Sequence, residues 1–274
     1  MNYKKMIGIG VAGNIAGHLD QAGEAAGFSK AKAGEKEAPK GIFPFYVPAN
    51  TGKFFEVYPF SSDTMTIPEE GENLQIEPEL AIICNVAYEN QLVKSLTPTS
   101  FAAFNDGSIR KLDVKKLSRK KNWGTGSKGV SETFIDIDEF TTDGILGDYS
   151  IVAYVRRDGV LHPYGVNSHI CDYSYIYQEL LDWIVSRINT QPNEGPLDCI
   201  IDLVKQSEYP EQAIIAIGAT NYTDFGKKNF LKEGDEGYVV IYSRKDYTLN
   251  QIETLIESNT LTGENISILH QTIG

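Results

Sequence analysis

The sequence predicts an α+β protein that is mostly β, and three observations carry that prediction. Short apolar or alternating runs bounded by turn residues recur at 80–84, 149–156, 160–166, 213–220, 237–242 and 266–272. Two of them flank Arg156-Arg157-Asp158-Gly159, which has the form of a hairpin turn. Helical periodicity is clearest in one place, 173–187, where Tyr173, Ile176, Leu180, Leu181, Ile184 and Val185 mostly fall three and four apart.

The first element is a short strand over 3–10 that ends in glycines. Gly8-Ile9-Gly10-Val11-Ala12-Gly13 matches GxGxxG, but no second apolar strand ending in an acidic residue follows it. A tight glycine turn into a polar segment is therefore expected, with a nucleotide cradle as the minor alternative. His18 follows that turn, and the polar stretch after it suits a mobile lid. Ile42 to Pro48 is aromatic and contains prolines, which exclude a central strand. Met65 to Pro68 reads as a short strand. The basic run Lys111, Lys115, Lys116, Arg119, Lys120 and Lys121 reads as a solvated face. Short helices are expected at 197–205 and 248–258. No repeat or linker interrupts the chain, so a single domain over 1–274 is expected.

The formal net charge of −12 argues against a nucleic-acid partner and fits a soluble cytoplasmic protein. Cys84, Cys171 and Cys199 have no CxxC spacing, so neither a disulfide framework nor a zinc site is suggested. Lys4-Lys5 before Met6–Ala16 faintly resembles a signal peptide. Glycines and Asn14 weaken its apolar core, and no stretch is long enough to span a bilayer.

The chemistry concentrates between Glu77 and Lys128. Residues two apart in a strand share a face, so Glu77 and Glu79 stand side by side. Two such carboxylates repel unless a cation or shared proton offsets them. Asp106 offers a third oxygen ligand, and the three together suit Mg²⁺, Mn²⁺ or Ca²⁺. Lys128 brings positive charge to whatever such a metal holds. Taken alone, Glu77-Pro78-Glu79 also reads as a solvated strand start, with a bulge or edge at Pro78.

These pieces, in this order, resemble the fumarylacetoacetate hydrolase superfamily over most of residues 6–243. The matching segments are Gly10–Gly23 with Asn14 and His18, Glu77-Pro78-Glu79 with its apolar run, and Asn105-Asp106-Gly107-Ser108-Ile109-Arg110. Trp123 with Ser127-Lys128, Gly218-Ala219-Thr220 and Leu231–Asp235 complete the series. The resemblance implies a rolled, mostly β sandwich with flanking helices, usually dimeric. It implies Glu77, Glu79 and Asp106 as ligands of a divalent metal, Mg²⁺ first, with Mn²⁺ or Ca²⁺ as alternatives. Lys128 would polarise a substrate carbonyl, Arg110 would support the site, Thr220 would line the pocket, and His18 would be the acid/base residue of a lid over about 14–40. The implied activity is a hydrolase or lyase acting on a small oxo-acid or diketo-acid through a chelated enolate, in a homodimer.

Three departures bear on that activity. Gln21 stands where many members carry a lid Glu, with Asp20 or Glu24 as differently spaced substitutes. Gly129 follows Lys128, and Phe134-Ile135-Asp136-Ile137 lacks the usual Pro/Gly segment. Residues 244–274 extend beyond the resemblance. A catalytically degraded protein that binds metal or a small acid without turnover is the second reading. A nucleotide-binding oxidoreductase is the third.

Overall fold

The computed structural model describes residues 2–21, 23 and 38–274. Glu24 and most of the 14–40 segment expected to form a lid lie outside the described residues. The first half of the chain contributes β1 (Ile7–Ala12), the one-turn helix α1 (His18–Gln21), β2 (Gly41–Tyr46), β3 (Phe60–Ser61), β4 (Thr64–Met65) and β5 (Glu72–Gln75). Then come β6 (Pro78–Glu89), β7 (Leu92–Asn105), β8 (Ser108–Lys111), β9 (Lys128–Val130) and β10 (Ile135–Asp136). The second half supplies β11 (Tyr149–Arg157), β12 (Val160–His169), α2 (Tyr177–Thr190), α3 (Ile200–Gln206) and β13 (Gln212–Ala216). It ends with α4 (Asp224–Lys228), β14 (Glu236–Ser243), α5 (Leu249–Glu257) and β15 (Ile266–Ile273).

One sheet runs β2-β1-β13-β6-β7-β9-β3, with β10 also on β7, and a second runs β12-β11-β14-β15-β4. Alternation along the strands builds the layers. In β14, Val239 and Ile241 join Ile82, Phe101, Ile151 and Leu269 in the core between the sheets. Tyr238, Val240 and Tyr242, one residue out of phase, pack under Ile252 and Ile256 of α5. The fold is thus α+β and mostly β, as expected.

The hairpin at Arg157-Asp158-Gly159-Val160 forms as its residues require. Asp158 and Gly159 have φ of 53° and 79°, which a two-residue turn needs at both central positions. The Pro44-containing strand β2 lies on a sheet edge, as its proline demands. Several expectations are corrected. Pro78 is neither bulge nor edge but the first residue of the central strand β6, a position that tolerates a missing donor. Gly8 and Gly10 are not in a turn. They lie inside β1, where a Cβ would fall 2.3 Å from the Phe45 ring and 2.2 Å from the Phe43 ring. These glycines make room for aromatic rings, so the GxGxxG spacing has a packing cause and gives no support to a nucleotide cradle. The helix expected from Tyr173 starts at Tyr177 instead, because Asn14 binds the main chain of Tyr175 through both side-chain atoms. Residues 244–274 are built into the second sheet, where β15 pairs with β14 and β4.

Candidate functional site

The site forms where the paired strands β6 and β7 end together. Pro78 pairs with Asn105, so Glu77 and Asp106 flank the same rung, and Asp106 N donates to Glu77 O at 3.0 Å. Asn105 fixes this end. Its Oδ1 accepts from Glu77 N at 3.1 Å, and its Nδ2 donates to Gln271 Oε1 on β15 at 2.9 Å. Glu77, Glu79 and Asp106 are all buried, and each offers a ligand atom within 4.8 Å of the others. The expected carboxylate cluster is therefore assembled.

Three cationic side chains enter it. Lys128, fully buried at the start of β9, lies 3.0 Å from Asp106 Oδ1 and donates to Gly107 O at 2.7 Å. Arg110, on β8, pairs with Glu77 Oε1 at 2.6 Å and donates to the Tyr222 hydroxyl at 2.6 Å and to Gln75 Oε1 at 2.6 Å. The third is Lys121, which the basic run placed on a solvated face. That expectation is corrected: Lys121 is 2% exposed, and its ammonium lies 2.5 Å from Glu77 Oε2 and 2.7 Å from Asp106 Oδ2. Lys120 and Arg119 next to it are half-buried or exposed, so one member of the run turns inward.

These neighbours set the ionisation of the cluster. Burial would raise the Glu77 carboxyl, but Arg110 and Lys121 outweigh it and hold Glu77 below the usual carboxylate range. Glu79 goes the other way: burial and the charges of Asp106 and Glu77 push it well above that range, although Gly218 N donates to its Oε2 at 2.8 Å. Burial lowers Lys128 to about 8 despite the opposing pull of Asp106.

His18 is 4% exposed and lines the same cavity as Glu77, Glu79 and Lys121. Asn14 sets the approach, donating to Ile217 O at 2.8 Å while it holds Tyr175. Gly218 lies opposite with φ 125°, and a Cβ there would meet Asn14 Cβ at 2.9 Å. The His18 Nδ1 pairs with Thr220 O at 2.9 Å, and a carbonyl only accepts. Nδ1 thus carries the proton and Nε2 is left as a base. Burial lowers the ring to about 4, with Glu77 opposing. Gln21 is turned to another partner through its Oε1, which accepts from Tyr222 N at 2.9 Å. Asp20 is exposed. Thr220 is fully buried, and its hydroxyl has no hydrogen-bond partner among the described residues.

Three buried carboxylates are a donor set for a hard divalent cation. The arrangement does not fit one as it stands. Both oxygens of Glu77 and both of Asp106 already face cationic nitrogens within 3.0 Å. A metal on these oxygens would share them with the Lys121 ammonium, and like charges that close repel strongly. The space remaining beside His18 is about 10 Å³, room for one water.

The expected residues His18, Glu77, Glu79, Asp106, Arg110, Lys128 and Thr220 lie around this one centre. Sequence reasoning missed Lys121 and Tyr222. A run of basic residues hides the one that turns inward. The available signal was Asn122-Trp123 after Lys121, two residues whose side chains anchor the chain: Asn122 Nδ2 donates to Phe45 O and Val57 O, and Trp123 Nε1 to Thr66 O.

Among the described residues, no helix is long and apolar enough to cross a membrane. No curated protein matches the sequence. Among solved structures, Cg1458 with inhibitor is similar at TM-score 0.57 and 17% identity, over 97% of this chain and 76% of that chain. A candidate fumarylacetoacetate isomerase/hydrolase from Oleispira antarctica is similar at TM-score 0.54 and 12% identity, over 98% and 93%. The 5-carboxymethyl-2-hydroxymuconate delta-isomerase from Mycobacterium smegmatis is similar at TM-score 0.54 and 15% identity, over 97% and 78%. At such identities the likeness is one of fold, and the fold is that of fumarylacetoacetate hydrolase proteins. Residues 24–273 match the family described as a family of unknown function (DUF5718), and the chain belongs to that family.

Proposed function

We propose that the protein is an enzyme acting on a small oxo-acid or diketo-acid, as a hydrolase or lyase, by stabilising an enolate. The supporting observation is the buried convergence of His18, Lys128 and the Glu77, Glu79 and Asp106 carboxylates. The isomerase and isomerase/hydrolase names of two structural neighbours support the same general class. In this reading the Lys128 ammonium faces the developing oxyanion, where fixed charge is most effective. Arg110 and the Thr220 hydroxyl hold the acid, and His18 Nε2 takes the proton. The resemblance implies Mg²⁺, Mn²⁺ or Ca²⁺ on the carboxylates, where it would supply Lewis-acid charge. That role requires Lys121 to leave the Glu77 and Asp106 oxygens. A cavity of about 10 Å³ also means that substrate enters only as the site opens.

The test is turnover of a panel of oxo-acids and acylpyruvates, with divalent metal and with chelator. Turnover of at least one is expected, with His18→Ala slowing it about 10²–10⁴-fold. Turnover indifferent to His18→Ala removes His18 from the mechanism. No turnover under either condition favours a binding protein without catalysis. That second reading is supported by Gln21, which is bonded to Tyr222 N and gives His18 no carboxylate. The proposal also includes a single domain and a homodimer, a closed pair being the commonest oligomer. A monomer mass by light scattering would count against the dimer.

A further inference from the structure

We propose that Lys121 is the resident cation of this site, its tethered ammonium taking the place of a divalent metal among Glu77, Glu79 and Asp106. Three observations carry the inference. The ammonium lies 2.5 Å from Glu77 Oε2 and 2.7 Å from Asp106 Oδ2, close to the distances at which a metal would bind them. The oxygens a metal would need are also taken: Arg110 and Lys121 face the two oxygens of Glu77, and Lys128 and Lys121 face those of Asp106. A divalent ion on those oxygens would sit directly against these cationic groups, and like charges that close repel strongly.

The third observation is that the backbone on both sides of Lys121 is held. Leu117 N donates to Pro196 O at 3.0 Å, Ser118 Oγ to Asp198 Oδ2 at 2.8 Å, and Lys121 N to Ser118 O at 3.1 Å. On the other side, Asn122 Nδ2 donates to Phe45 O at 2.8 Å. The Lys121 stem passes the Phe43 ring, with the ammonium 5.1 Å from its centroid. The amine is delivered into the cluster by a fixed segment.

The consequence deepens the reading of an oxo-acid site, on which it rests for its ligand class. Bound acid would meet an ammonium cluster and no metal. The experiment is a Mn²⁺ titration read by electron paramagnetic resonance on the full chain, for wild type, Lys121→Ala and Lys121→Met. Wild type is expected to take up no stoichiometric Mn²⁺. Removing the amine is expected to create one site per chain, roughly 100-fold or more tighter, as befits removal of a like charge. Adding Glu79→Gln to Lys121→Ala should abolish that site. Stoichiometric Mn²⁺ binding by wild type, lost in Glu79→Gln, would overturn the proposal. So would Lys121 variants that fold and still bind no Mn²⁺. Should neither variant fold, the wild-type titration alone decides: no site supports the proposal and a site overturns it. The oxo-acid panel separates the two readings. Turnover in chelator without a Mn²⁺ site sustains both. Mn²⁺ binding with turnover keeps the enzyme and removes the resident cation. Neither turnover nor a Mn²⁺ site removes the enzyme and keeps the resident cation.

Discussion

His18 and Thr220 are joined by a single hydrogen bond, ring Nδ1 to main-chain carbonyl at 2.9 Å, and that bond sets the character of the imidazole. A carbonyl fixes the tautomer without contributing a full charge, so burial outweighs the upward pull of Glu77 and of this bond and lowers the ring to about 4. The folded state therefore favours neutral His18. Stability from this group is complete above 6.5, the ordinary value of an imidazole, and is lost as pH falls through that value toward about 4. The loss amounts to roughly 3 kcal/mol. His18→Gln should flatten the acid side of a denaturant-stability profile across that window. An unchanged profile would show that His18 titrates normally.

Lys128 carries the alkaline side. Its ammonium, lowered to about 8 by burial, is lost as pH rises through that value. Binding of a small dicarboxylate such as oxalate should therefore weaken above about pH 8 and hold steady below it. Calorimetric titration across this range checks the point. Lys128→Met should bind more weakly and lack the alkaline fall. A wild-type affinity that stays level to about pH 9.5 would separate Lys128 from the ligand.

Glu79 is the strained member of the carboxylates. Its folded-state carboxyl is raised, so the stability of the neutral form is present at low pH and is lost as pH rises through that raised value. Glu79→Gln removes the titration and keeps an oxygen for Gly218 N. In chelator at about pH 8, the variant should be more stable than wild type by about 1–3 kcal/mol, and the gap should close toward pH 4. Parallel stability curves for the two proteins would sink this account.

Much of the site was legible because its signals are local. Glu77 and Glu79 are two apart, and the Asn105-Asp106 pair sits at the far end of the paired strand. The strand β7 itself was not read. Leu92–Asn105 carries Pro98 within a Ser/Thr-rich stretch, and the ladder absorbs it through a register shift between Ile83 and Cys84. Its two-residue turn also uses Asn90 and Gln91 with φ of 53° and 65°, a pair without the glycine that marks such turns. Lys121 was illegible for a different reason. Its placement depends on its neighbours Ser118, bonded to Asp198, and Asn122, bonded to the carbonyls of Phe45 and Val57, residues far away in sequence.

The glycines of β1 give a test that reads packing against nucleotide chemistry. Gly8 faces Phe45, which packs edge-on against Phe60, with ring centroids 6.1 Å apart, and lies 5.4 Å from Phe104. A methyl at position 8 would lie 2.3 Å from the Phe45 ring, which these neighbours prevent from moving away. Gly8→Ala should cost about 1–3 kcal/mol or more, the range for overpacking a filled core. Phe45→Leu alone should also destabilise, through the volume it removes. The two changes relieve one another, so the double variant should lose less than the two single losses added together. Such coupling is expected of residues in direct contact. Additive losses would show that the ring does not fill the space above Gly8. Nicotinamide fluorescence should be unaffected by wild type and variants alike. Quenching by wild type that is lost in Gly8→Ala would restore the nucleotide reading that the packing of β1 displaces.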